Sequence, residues 1–226
     1  PGPVRHLQGI GERNLLRSKL GVLAVLVTVS AALATACTTT TGGTASPSTA
    51  GPSATDEPSA DPDVPKVSAP LDASKYLTDT CAIVPQDVLT SLRYTDPGVY
   101  QAKGDTAFTE AGPSCAWKLR GEGIGLSVTI ATGNRDRGAG GLAGLYAGYR
   151  NHTLIRFLER APDVEGYPAV YYGPLDERPA GSCGLGVGIA DDLTFDVYAQ
   201  GYQGADDSCG AAEQVAASII KTLKGA

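Results

Sequence analysis

The chain has no methionine, one tryptophan and only two histidines. The methionine gap includes position 1, so the true start is expected elsewhere or at an unusual codon, with Val4 as the candidate. Beyond position 36 the one histidine is His152, in Arg150-Asn151-His152-Thr153. A histidine general base needs a nucleophile and an orienting carboxylate, and no serine sits in a Gly-x-Ser-x-Gly frame. His152 therefore reads as a surface or capping residue, and no catalytic set is expected. Close Cys-x-x-Cys pairs are also missing; zinc sites usually depend on such pairs, so no metal or other cofactor is expected.

Positive charge is scarce as well, with 18 Lys and Arg against 24 Asp and Glu. Residues 1–36 hold four of the basic residues and one of the acidic ones, which leaves 14 basic against 23 acidic in the remainder. Such a surface repels phosphate backbones and anionic headgroups alike, so nucleic acid is excluded as a partner. The longest apolar run, Leu20 to Val29, is too short for a membrane span, which takes roughly 20 residues.

Arg13, Arg17 and Lys19 precede that run, and small residues from Ser30 to Ala36 follow it. Basic, apolar, small is the order of a secretory signal, expected over 1–36. The segment ends Leu33-Ala34-Thr35-Ala36-Cys37 and resembles a lipobox, with Cys37 as the acylated residue and Ala34 where leucine is usual. Cys37 is the odd one of five cysteines. Two or three acyl chains, at about 0.8 kcal/mol per buried methylene, hold a protein stably to a membrane where one chain does not. From Thr38 to Pro70 the composition is almost wholly Thr, Ser, Ala, Gly, Pro and acidic residues; with so little to bury it reads as a disordered tether over 37–70.

A single globular domain is expected over 71–226. It holds Cys81, Cys115, Cys183 and Cys209, which in an oxidising compartment form two disulfides in one of three connectivities. Pro85 to Arg93 reads as a short helix carrying Val88, Leu89 and Leu92 on one side. Leu126, Val128 and Ile130 alternate with polar residues as a strand, paired with Cys115 to Leu119. Leu142, Leu145, Tyr146 and Tyr149 recur at helical spacing. A strand pair follows, Leu185-Val187-Ile189 and Leu193-Phe195-Val197, turning at Asp191-Asp192. The last helix carries Ala212, Val215, Ala216, Ile219, Ile220 and Leu223, with acids near its start and lysines near its end. Each half thus reads as strand, strand, helix, a weak pseudo-repeat. The fold class expected is α+β, an antiparallel sheet with helices packed mainly on one face and two intradomain disulfides.

Ten tyrosines against three phenylalanines draw attention to a possible ligand groove formed by Tyr146, Tyr149, Tyr171, Tyr172 and Tyr198. Gly184, Gly186 and Gly188 share one strand face and leave room there for a ligand or a helix. Gly138-Ala139-Gly140-Gly141-Leu142-Ala143 nominally fits Gly-x-Gly-x-x-Ala. The polar stretch 133–137 separates it from the preceding strand, so a loop opening a helix is the better reading. The acid pairs 176–177, 191–192 and 206–207 read as turn and helix-start solvation.

Taken in order, the lipobox, the tether, Cys81-Ala82-Ile83-Val84-Pro85, Ser114-Cys115-Ala116-Trp117, Glu165-Gly166-Tyr167-Pro168-Ala169, the Cys183 strand and the Cys209 helix resemble the uncharacterised actinobacterial lipoproteins of DUF family 3558. The resemblance implies an envelope lipoprotein with neighbour disulfides, 81 to 115 and 183 to 209, and implies no activity. The resulting expectation is a non-catalytic binding or accessory module, lipid-anchored at the outer face of the cytoplasmic membrane and exposed to the cell-wall space. Its partners would be the membrane through its anchor and an envelope lipid, glycan or protein. The alternatives are an envelope enzyme using His152 and a nearby carboxylate, or a structural subunit of a membrane complex.

Overall fold

The computed structural model describes residues 61–106 and 109–225. The expected signal segment, Cys37 and the tether as far as residue 60 lie outside the described residues. Seven strands form one sheet: β1 (Val99–Gln101), β2 (Ser114–Leu119), β3 (Ile124–Ile130), β4 (Phe157–Val164), β5 (Tyr167–Gly173), β6 (Cys183–Ala190) and β7 (Leu193–Gln200). They lie in the order β1-β2-β3-β7-β6-β5-β4, every pair antiparallel. Two meanders are thus joined at the β3–β7 seam, and the chain crosses from β3 to the far edge through α2 (Thr132–Asp136) and α3 (Gly141–Arg150). Among the described residues no helix is long and apolar enough to cross a membrane.

One sheet face carries the main core. Leu126, Val128 and Ile130 of β3, Phe195 and Val197 of β7, and Leu185, Val187 and Ile189 of β6 alternate onto it. They pack against Ala212, Val215, Ala216, Ile219 and Ile220 of α4 (Ala205–Lys224). The short α1 (Gln86–Ser91) adds Leu89 to the same cluster. Helix α4 has Asp206 and Asp207 in its first turn, Lys221 and Lys224 in its last, and Gly225 left-handed at its end, which agrees with its dipole and its C-terminal cap. Both disulfides fasten this layer: Cys81 of the 3-10 turn Thr80–Ile83 to Cys115 of β2, and Cys183 of β6 to Cys209 of α4. These are the neighbour pairings.

Helix α3 packs on the opposite face, over β5 and β6. Leu142 and Leu145 form a second cluster there with Val170, joined by Tyr146, Ile155, Leu158 and Tyr172. The pseudo-repeat therefore breaks: each central hairpin is followed by a helix, but the two helices take opposite faces. Gly140 and Gly141 set the approach of α3, because a Cβ on either would lie 2.1 Å from the Asp192 carbonyl oxygen or 2.0 Å from that of Asp191. Gly141 is also left-handed, at φ 65°. The Gly-x-Gly-x-x-Ala stretch serves close packing of a helix end on the β6–β7 turn.

Residues 61–70, placed with the tether on composition, belong to the folded part. Val67 is buried and its N–H donates to Asp191 Oδ1 at 3.1 Å, Leu71 N–H donates to the Ile189 carbonyl at 2.8 Å, and Ala69 accepts from the Tyr167 hydroxyl. Two valines in an otherwise polar run are enough to dock it, because Val64 and Val67 reach the cluster beside α3 and the bare backbone of Gly188.

Candidate functional site: a carboxylate on the bare half of the sheet

Helix α3 covers the β5–β6 end of its face and leaves the β7–β3–β2–β1 end open. The strand registers align side chains there in cross-strand rows. One row runs Gly186, Asp196, Thr129, Ser114, Gln101; the next runs Gly184, Tyr198, Ser127, Ala116, Val99. A third holds Gln200, Gly125 and Lys118. Period-two alternation aims the odd-numbered residues of β7 into the core and the even-numbered ones, Thr194 to Gln200, at this face.

A pocket of about 490 Å³ occupies the open half, within the usual range for small-molecule sites. Gln101, Ser114, Ser127, Thr129, Asp196, Tyr198 and Gln200 supply polar side chains, and Tyr172, Gly173 and Pro174 line it from the end of β5. Lys, Arg, His and Cys are missing from the described lining residues.

Asp196 is half-buried as a residue, but its Oδ1 is fully withdrawn from solvent and has no hydrogen-bond partner. The bare backbone of Gly186 makes space for it: a Cβ at 186 would lie 3.1 Å from that oxygen, 2.7 Å from Leu145 Cδ1 and 3.2 Å from Tyr172 Cε1. Removal from water pushes the Asp196 carboxyl up to about 7, against the opposing hydrogen-bonding pull of the Tyr172 and Thr194 hydroxyls. Tyr172 is driven well above the ordinary phenol range by burial and then by the nearby Asp196 charge. Tyr198 is raised too, mainly by burial, and its hydroxyl donates to Glu177 Oε2 at 3.3 Å. A carboxyl that changes charge near neutrality on a pocket floor marks a functional-site candidate. It can accept a hydrogen bond or an ion pair from a ligand in one state and donate a proton in the other.

The five tyrosines of the expected groove are not together. Tyr172 and Tyr198 line the pocket. Tyr146 packs beside Leu142, Leu145 and Val170, and Tyr149 stands edge-on to His152, with ring centroids 6.3 Å apart. Tyr171 is on the opposite face, its hydroxyl donating to Glu213 of α4 and its ring under the Arg178 guanidinium at 5.2 Å. Adjacent residues of a strand point to opposite faces, so Tyr171 and Tyr172 could not share a groove. Of the three glycines, Gly186 and Gly188 receive α3 while Gly184 lines the pocket: both uses of the glycine face occur, on successive residues. His152 is exposed in the loop after α3, at φ 48°, and is not among the pocket residues. Asp196 escaped the sequence reading because Leu193-Thr194-Phe195-Asp196-Val197 looks like a strand with a solvated polar face. The available signal was the triglycine strand next to it.

The fold and pocket define a class, a disulfide-bonded α+β domain with one sheet face sealed by helices and the other half open. The chain belongs to the family described as "Protein of unknown function (DUF3558)", whose model matches residues 32–222. No curated protein and no solved structure matches the chain.

Proposed function

We propose that this protein is an extracytoplasmic lipoprotein, held to the outer face of the cytoplasmic membrane through Cys37, whose open sheet face binds a small molecule of the cell envelope. The observation that carries the reading is the 490 Å³ pocket with Asp196 on its floor. Burying a carboxylate without a full set of partners costs several kcal/mol, and a ligand that engages the Asp196 carboxylate offsets part of that cost. The basic-apolar-small leader ending at Cys37 supports export and anchoring, and two disulfides fit an oxidising compartment. The role is that of a binding or accessory module.

Native mass spectrometry of the full chain, extracted from the membrane of its exporting host, tests this. A covalent acyl increment on Cys37 together with a discrete non-covalent mass, removable by organic solvent, is the expected result. A protein without the non-covalent mass would contradict ligand binding, and Cys37 without acyl chains would contradict the anchor.

A further inference from the structure

We infer that the pocket recognises a ligand through a protonated nitrogen, an ammonium or guanidinium group, placed against Asp196 with the rest of the molecule lying along the Thr129–Ser114 row. The inference rests on the proposed binding role of the same pocket and adds the chemical class of its ligand.

The argument begins with charge. Asp196 is the one carboxylate among the described lining residues, and no cationic side chain lines the pocket beside it. Lys118 is on the same sheet face, but two strands over and four residues along from Asp196. Strand spacings put it roughly 16 Å away, beyond a Debye length at physiological salt. The groups that face Asp196 from the packed elements are uncharged or acidic: Thr194 on its own strand, Thr129 from β3, Gly186 from β6, Tyr172 from β5 and Leu145 from α3. Two residues along the strand, the Tyr198 hydroxyl donates a hydrogen bond to Glu177, an acid outside the pocket lining. Other half-buried charged groups have side-chain partners: Glu177 accepts from the Tyr198 hydroxyl and Glu213 from that of Tyr171. Arg178 holds Glu159 at 3.0 Å and Asp176 at 2.8 Å and stacks on Phe157 at 4.5 Å. Among the described residues, Asp196 Oδ1 is the one buried side-chain polar atom without a hydrogen-bond partner.

The surroundings fit a nitrogen cation in detail. An ammonium has donors and no acceptor, and a pocket for it needs acceptors and ring faces. Thr129 and Ser114 lie in the Asp196 row on adjacent strands, whose backbones are about 4.8 Å apart, and Tyr198 and Tyr172 also line the pocket. An anionic ligand would meet the Asp196 carboxylate and no cation among the described lining residues. A neutral ligand would leave the ionised form of Asp196 without a counter-charge.

The test is an NMR-monitored titration of the full chain with n-butylamine, n-butanol and n-butyrate, three probes of one shape and three charges. The amine should shift the backbone amides of Asp196, Thr129 and Tyr198 with millimolar affinity, in keeping with the size of so small a ligand. The alcohol should bind at least about tenfold more weakly and the butyrate more weakly still. Raising the pH from 6 to 8 should strengthen amine binding roughly tenfold, as a carboxyl titrating near neutrality loses its proton, and Asp196→Asn should reduce the amine to the level of the alcohol. Equal binding of amine and alcohol, or amine binding indifferent to both pH and Asp196→Asn, would overturn the cation. A copurifying ligand without a protonated nitrogen would overturn it too, and would leave the binding role standing. A protein with no copurifying ligand would overturn the binding role, and a pocket that answers none of the three probes would overturn the cation.

Discussion

The two faces of the sheet are made of the same strands and do different things. On the α4 face β6 and β7 contribute Leu185, Val187, Ile189, Phe195 and Val197, all fully buried, and two disulfides fasten the helical layer over them. On the other face the same two strands contribute Gly184, Gly186, Gly188, Thr194, Asp196 and Tyr198, covered by α3 at one end and open at the other. Alternation along a strand lets one sequence serve both purposes, because each successive residue answers to a different surface. A sheet sealed firmly on one side can carry an uncompensated carboxyl on the other.

That contrast predicts a graded response to substitution. The largest effect belongs to the sealed face: Ile219→Ala should destabilise by about 3–5 kcal/mol through the cavity it leaves. Thr129→Ala, on the open face, should stay within about 0.5 kcal/mol. Denaturant unfolding of the two variants measures the difference, and comparable losses would break the comparison. Removing Cys183 and Cys209 together as alanines should cost about 2–4 kcal/mol by freeing a 26-residue separation in the unfolded chain, read in the same experiment without reductant. At the start of α3, Gly141→Ala must shift the Asp191 carbonyl and strain a left-handed residue; about 2 kcal/mol or more is expected from thermal unfolding.

Asp196 supplies a smaller effect with a definite sign. Its folded-state value, near 7, is above that of an unfolded aspartate, so the native state holds the proton more tightly. The associated stability is present below about pH 4 and is lost as pH rises toward 7. Allowing for its partial exposure, about 1–2 kcal/mol should disappear across that window. In Asp196→Asn this part of the pH dependence should vanish. Asp176, held below the usual carboxylate range by Arg178, works in the opposite direction and loses its contribution on acidification. If wild type and Asp196→Asn showed parallel stability curves between pH 4 and 8, the perturbed carboxyl would be ruled out.

The parts of this fold that sequence could reveal are those where one face is wet and the other dry. The two central hairpins, the short α1, α3 and α4 all carry a clear period. Strand β5 does not, because Tyr167, Pro168, Ala169 and Val170 are all buried and leave no alternation to read. Strand β4 is interrupted by Pro162 at a register shift between Ala161 and Val164, which masks its period. Three residues of β1 are too few to show one. The candidate site was half legible: Tyr172, Tyr198 and the glycine face were in view, whereas Asp196 became visible only when α3 and Tyr172 were seen to close over it. The burial of Asp196 comes from elements distant in sequence, and no local pattern encodes that.

The most direct test of the open face as a binding surface is to fill it. Ser127→Trp places an indole in the pocket row beside Tyr198, and Ala143→Trp places the same ring on the exposed side of α3. Native mass spectra of the two full-length variants, each purified from the exporting host, should show the non-covalent mass lost from the first and kept by the second. The same ligand occupancy in both would contradict the account.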